Sequence, residues 1–148
     1  MKLPPKETWI VVADGQRARF YHNDGRSKTL ARVMPADMVD PNPKTRDQGS
    51  DRPGREHSRF GPGRAALGDT DWHEYEKHVF AHEVAGRINA ARRDGAFERL
   101  VLVAPPKTLG DLRKMLDSHT AELVDGELDK DVTHESDAAL TERLAALL

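Results

Sequence analysis

Thr8-Trp9-Ile10-Val11-Val12-Ala13 is the stretch on which the fold turns. It is apolar without alternation, carries β-branched residues at four positions, and stops at Asp14-Gly15, a turn signal. A strand with one wet face alternates polar and apolar residues, so an unbroken apolar run reads as a strand covered on both faces. A second run of the same kind, Leu100-Val101-Leu102-Val103-Ala104, is closed by Pro105-Pro106. Proline has no backbone N–H to give a sheet, so the run ends there. The two runs are expected side by side at the centre of one sheet.

The remaining elements follow outward from these two. Arg17 to His22 alternates, with Ala18 and Phe20 on one side and Arg19 and Tyr21 on the other, which predicts a strand with one wet face. Asn23-Asp24-Gly25 is a hairpin turn, and Lys28 to Met34 is expected as a third strand that completes a meander. Trp72, Tyr75, Val79, Phe80, Val84 and Ile88 recur at helical spacing. Asp71 and Glu74 fit a cap pattern at the start of that helix, and Asp94-Gly95 ends it. Thr108 is expected to cap a second helix carrying Leu109, Leu112 and Leu116. Ala121 to Leu128 reads as a weaker strand interrupted at Asp125-Gly126. A final helix is expected from Asp131 or Thr133, with Leu140, Leu144 and Leu147 inside.

The expected order is therefore β-β-β-α-β-α-β-α. Helical crossovers join parallel strands and are right-handed, so the later strands should run parallel to the first. The fold class is α/β: a ribonuclease-H-like mixed sheet in the order 3-2-1-4-5, with helices on both faces. The 148 residues suit one domain of this kind.

Composition excludes several function classes. There is no cysteine, hence no disulfide, thiolate metal site or cysteine nucleophile. The run Trp9–Ala13 is shorter than the apolar core of a secretory signal, and nothing approaches the roughly 20 apolar residues of a membrane span. A cytoplasmic protein without membrane insertion is expected. Gly-x-Gly-x-x-Gly and Walker patterns are absent. His82-Glu83 opens like a zinc-protease helix, but Gly86 stands where the second histidine would be, and His78 with His82 supplies only two ligands. No cofactor and no metal are expected.

The charge is unevenly spread. Between Pro41 and Arg64 six basic residues (Lys44, Arg46, Arg52, Arg55, Arg59 and Arg64) face three acids, a balance of +3. From Thr108 to Leu148 four basic residues face ten acids, a balance of −6, within a chain of net charge −2. Residues 40 to 69 are rich in Gly, Pro and Arg and nearly devoid of apolar side chains. They read as a long mobile loop whose six basic residues are positioned to contact RNA phosphates.

A second candidate comes from topology. If the first, fourth and fifth strands are parallel, their carboxyl ends bring together Asp14, Lys107, Thr108, Lys130 and Asp131, with Arg113 one turn further along the helix. Open α/β sheets bind ligands at that edge, and a helix N-terminus there favours an anion. The alternatives are a capped helix with surface ion pairs, or a small hydrolase using the same residues. A ribonuclease-H-type nuclease would need an acid at the end of the fourth strand, where Ala104-Pro105 stands instead.

Three passages carry a family likeness: Trp9 to Gly15 followed by Arg17-Ala18-Arg19-Phe20, Leu102 to Arg113, and Glu127 to Thr133. Together they resemble the host attachment protein family, a relative of the middle domain of archaeal and eukaryotic release factors. The likeness implies a role in bacterial attachment to host cells, and, by way of release factors, association with the ribosome or tRNA. In release factors a Gly-Gly-Gln loop precedes the long helix; here that position holds the Arg-rich stretch, with no Gly-Gly-Gln. The expected function is a non-catalytic RNA- or ribosome-associated module. The alternative is a protein-interaction module with an indirect role in attachment.

Overall fold

Two apolar clusters lie on opposite sides of one sheet, and the alternation of β1 (Thr8–Ala13) divides them. Trp9, Val11 and Ala13 belong to one cluster, and Ile10 and Val12 to the other. The computed structural model of the chain describes residues 6–40 and 62–148. β2 (Arg17–Asn23) pairs antiparallel with β1, and β5 (Arg99–Ala104) pairs parallel with it on the other side, Val11 opposite Leu102. β6 (Val124–Asp129) extends the sheet parallel to β5. The two apolar runs are thus neighbours at the centre, and every residue of β1 is buried.

At the far edge the expectation of one third strand, Lys28 to Met34, is corrected. Two short pieces take its place, β3 (Ala31–Arg32) and β4 (Met38–Val39), each pairing antiparallel with a different end of β2. The sheet order is β3-β2-β1-β5-β6 with β4 also on β2, so it differs from the 3-2-1-4-5 expected of five strands. The chain does not stay extended after Arg32: Asp37 turns back toward the arginines of β2 and β3, with Arg32 Nη1 donating to its Oδ1 at 2.8 Å.

The helices cover both faces. α1 (Pro62–Arg93) and α2 (Pro106–Met115) pack on the Trp9 side through Phe80, Val84, Ile88, Leu109 and Leu112. A short α3 (Ser118–Ala121) follows, capped by Asp117, which accepts from the Thr120 N–H. α4 (Asp137–Leu144) covers the Ile10 side through Leu140 and Leu144 and runs into a 3-10 turn, Ala145–Leu147.

Several helix starts differ from the sequence expectation. α1 begins at Pro62 and not near Asp71, because proline's fixed φ suits a first helical turn. Residues 62–69 are therefore helical and not part of a loop; the mobility expected of the rest of that stretch falls on residues 41–61, outside the described residues. α2 is capped by Pro105 in extended conformation, with Pro106 leading, so Thr108 is a buried residue of the first turn. Ser136 caps α4, its Oγ accepting from Ala139 N at 3.1 Å; Thr133 is occupied elsewhere. One face of β2 is expected to be wet; instead Ala18, Arg19, Phe20 and Tyr21 are all buried.

Candidate functional site

Because β1, β5 and β6 run parallel, their carboxyl ends open at one edge of the sheet. A cleft of about 390 Å³ lies there, between the β1–β2 turn, α1 and the start of α2. Asp14, Gly15, Lys77, Lys107, Thr108 and Asp131 are among the residues that line it. The structure thus gathers four of the six residues expected at the strand ends: Asp14, Lys107, Thr108 and Asp131. The first turn of α2 carries neither a side-chain cap nor an acid.

The carboxylates of this cleft have work of their own. Asp14 Oδ1 accepts from Gln16 N at 2.7 Å and Arg17 N at 2.8 Å, which shapes the turn into β2. Its Oδ2 lies 2.7 Å from the hydroxyl of Thr133, a fully buried residue, and the same hydroxyl lies 2.9 Å from Asp131 Oδ1. One hydroxyl has one proton to give, so Thr133 donates to one of the two acids at a time while lying within reach of both, and it ties the end of β1 to the segment after β6. Asp14 is thus a turn-forming group, accepting from two backbone N–H groups and lying within reach of the Thr133 hydroxyl.

The cations are also engaged. The Lys107 ammonium contacts Glu74 of α1, which raises the lysine's pKa and lowers that of Glu74. Lys77 lies 3.6 Å from the same carboxylate and packs over Gly15, where a Cβ would stand 2.5 Å from Lys77 Cγ. Glycine at that position is what lets the Lys77 stem lie across the turn. His78 Nδ1 lies 3.8 Å from Asp111, another lining residue. The other two expected members stand apart. Arg113 turns to Glu127 on β6, forming a two-pronged pair that lowers the Glu127 pKa, and Lys130 is exposed outside the lining. With Lys77 and Lys107 against Asp14, Asp111 and Asp131, the cleft has more carboxylates than ammonium groups.

Of the expected RNA-contact residues, Lys44, Arg46, Arg52, Arg55 and Arg59 lie outside the described residues, and Arg64 falls in the first turn of α1. Among the described residues, no three His, Asp or Glu side chains are grouped to hold a metal ion, and no helix is long and apolar enough to cross a membrane.

One cluster has no counterpart in the sequence motifs. Tyr21 donates its hydroxyl proton to Asp137 Oδ1 at 2.6 Å, and Arg32 grips both oxygens of Asp137 at 3.1 Å. The Arg32 guanidinium also lies 5.6 Å from the centre of the Tyr21 ring. Arg19 adds a bond to the Tyr21 hydroxyl at 3.3 Å and stands 3.6 Å from Asp37. The Asp137 pKa is lowered by Arg32 first and Tyr21 second; that of Tyr21 is raised by burial and by Asp137. Asp137 follows Tyr21 by 116 residues, so no local pattern announces the pair. The only hint is the Arg-x-Tyr alternation of β2, which reads equally as a wet face.

A family model described as a protein required for attachment to host cells matches residues 9–144, almost the whole chain. No curated protein matches it.

Proposed function

This chain belongs to the family of proteins required for attachment to host cells, and we propose that it acts there as a non-catalytic module that associates with RNA or the ribosome through its basic stretch. The family's description names a process and no molecule, so the partner is argued from charge. The carrying observation is that eight of the described arginines stand beside carboxylates of the scaffold. Those at 17, 19 and 32 stand by Asp37, and those at 92 and 93 by Asp117. Those at 99, 113 and 143 are paired with Asp125, Glu127 and Glu135. The scaffold meets these cations with carboxylates of its own, whereas Pro41 to Arg64 holds six basic residues against three acids. A polyanion drawn to this chain has its best electrostatic match there.

The same reading takes the sheet as ribonuclease-H-like and the chain as a relative of release-factor middle domains. Gly-Gly-Gln is absent from the sequence, so peptide release is not part of it. The strand-end cleft is left out of the phosphate contact because its carboxylates outnumber its ammonium groups. A hydrolase reading of that cleft is not supported, since Asp14 is committed to its turn.

The test is co-sedimentation with ribosomes and with tRNA, wild type against a variant lacking Lys44–Phe60. The deletion stops short of Pro62 so that α1 keeps its first turn. Wild type should pellet with one of the two partners and the deletion variant should stay in the supernatant. Equal pelleting of both proteins, or of neither, would sink the proposal.

A further inference from the structure

The strand-end cleft holds two seats of opposite sign, and the scaffold satisfies neither. The first is the start of α2. Pro106 has no N–H, and the Leu109 N–H bonds Pro105 O at 2.9 Å. The N–H groups of Lys107 and Thr108 are thus left without an acceptor among the described residues. Thr108 is only 8% exposed, yet it lines the cleft, and its hydroxyl has no hydrogen-bond partner among the described residues. Buried hydroxyls are normally bonded, so this one is open to a ligand atom in the cleft. Lys77 and Lys107 stand on the same wall and share one carboxylate, Glu74, which leaves one positive charge over.

The second seat is Asp14 with Asp131. Each has an oxygen within hydrogen-bond reach of the Thr133 hydroxyl, so the two carboxylates stand close together. A hydroxyl and two backbone N–H groups orient these acids but cancel no charge. Among the described residues no Lys, Arg or His forms an ion pair with either acid, and Asp131 Oδ2 accepts nothing. Val12 lies opposite Val103, so Asp14 and Pro105 leave neighbouring strand ends, about 5 Å apart. The two seats are therefore close.

We infer that this cleft binds a free α-amino acid, its carboxylate on the start of α2 and the Thr108 hydroxyl, its ammonium between Asp14 and Asp131. A helix N-terminus with free N–H groups suits a carboxylate, and an ammonium has three protons for carboxylates to accept. An anion alone would face Asp14, Asp111 and Asp131, and a cation alone would leave the α2 donors unmet. A metal ion lacks its ligands, since among the described residues no three His, Asp or Glu side chains are grouped to hold one. The short span between the seats favours charges one carbon apart over a longer zwitterion. About 390 Å³ leaves room for a side chain as well. None of these groups lies in Pro41–Arg64, so the inference stands apart from the RNA reading.

The test is titration of the nitrogen-15-labelled chain with each of the twenty common L-amino acids, read on the amide resonances of Lys107 and Thr108. At least one amino acid should shift both resonances saturably. Its amide and its N-acetyl derivative, each lacking one charge, should bind at least tenfold more weakly. Thr108→Val and Asp131→Asn should each weaken the same amino acid by about tenfold. Both substitutions keep the side-chain shape, the Thr108 hydroxyl holds nothing in the protein and Asp131 is exposed, so thermal midpoints should stay near wild type. If one variant fails to fold, the other carries the comparison. Saturation by none of the twenty, derivatives that bind as well as the parent, or wild-type affinity in a folded variant would overturn the inference.

Discussion

Tyr21 shows how much one side chain contributes to this structure. Its ring is fully buried on the Ile10 side of the sheet, while its hydroxyl reaches Asp137 at the start of α4. Tyr21→Phe removes that bond and leaves the space filled, so the unfolding free energy should fall by about 1 kcal/mol in urea denaturation. Unchanged stability would mean the bond gives no net gain. Acid dependence follows from Asp137 itself. Arg32 and Tyr21 hold its folded pKa below the ordinary carboxylate value, so its contribution is complete above about pH 4 and is lost as pH falls through the lower folded value. Glu127 beside Arg113 has the same sign. Stability should therefore drop on acidification below about pH 4, and Asp137→Asn should make that drop shallower in urea melts taken from pH 5 downward.

At the scale of elements, α1 is the piece that joins the sheet to the strand-end cleft discussed above. Thirty-two residues make it about 48 Å long. Its grip on the sheet runs through Phe80, Val84 and Ile88. Ile88→Ala should cost roughly 2–5 kcal/mol in chemical denaturation, since the fully buried site cannot collapse on the smaller side chain without moving the helix. A loss under 1 kcal/mol would show that α1 is held mainly from elsewhere. Ser136→Ala should cost about 1 kcal/mol through the lost cap of α4, read in the same melts.

The two central strands are legible in the sequence because Trp9–Ala13 and Leu100–Ala104 combine unbroken apolar character with a clear stop. The end of α1 is equally legible: Asp94-Gly95 follows it, and Gly95 has φ 75. The start of α1 is not, because Gly63 and Gly68 make its first turns resemble a loop. Nor is the split edge, where Ala31–Arg32 and Met38–Val39 are too short to show a period. At the strand ends, parallel topology alone brings Asp14, Lys107, Thr108 and Asp131 together. The pairings that decide their chemistry, Thr133 on Asp14 and Glu74 on Lys107, depend on three-dimensional packing.

The whole molecule is an acidic chain of net charge −2 that carries one dense basic stretch, on a scaffold whose arginines are largely paired with its own carboxylates. Deleting Lys44–Phe60 should leave the thermal midpoint within a few degrees of wild type, because Phe60 is the only large apolar side chain that this stretch could give to either core. A collapse of the far-ultraviolet helical signal in that variant would contradict this. The most direct measurement of the central claim is the salt dependence of binding to a generic single-stranded RNA, for wild type and for Arg52→Ala/Arg55→Ala/Arg59→Ala. If the basic stretch neutralises phosphates, the wild-type affinity falls steeply with salt on logarithmic axes, and the triple variant flattens that slope by roughly 0.7 for each arginine–phosphate pairing removed. A wild-type affinity indifferent to salt, or a slope that the three substitutions leave unchanged, would contradict the account.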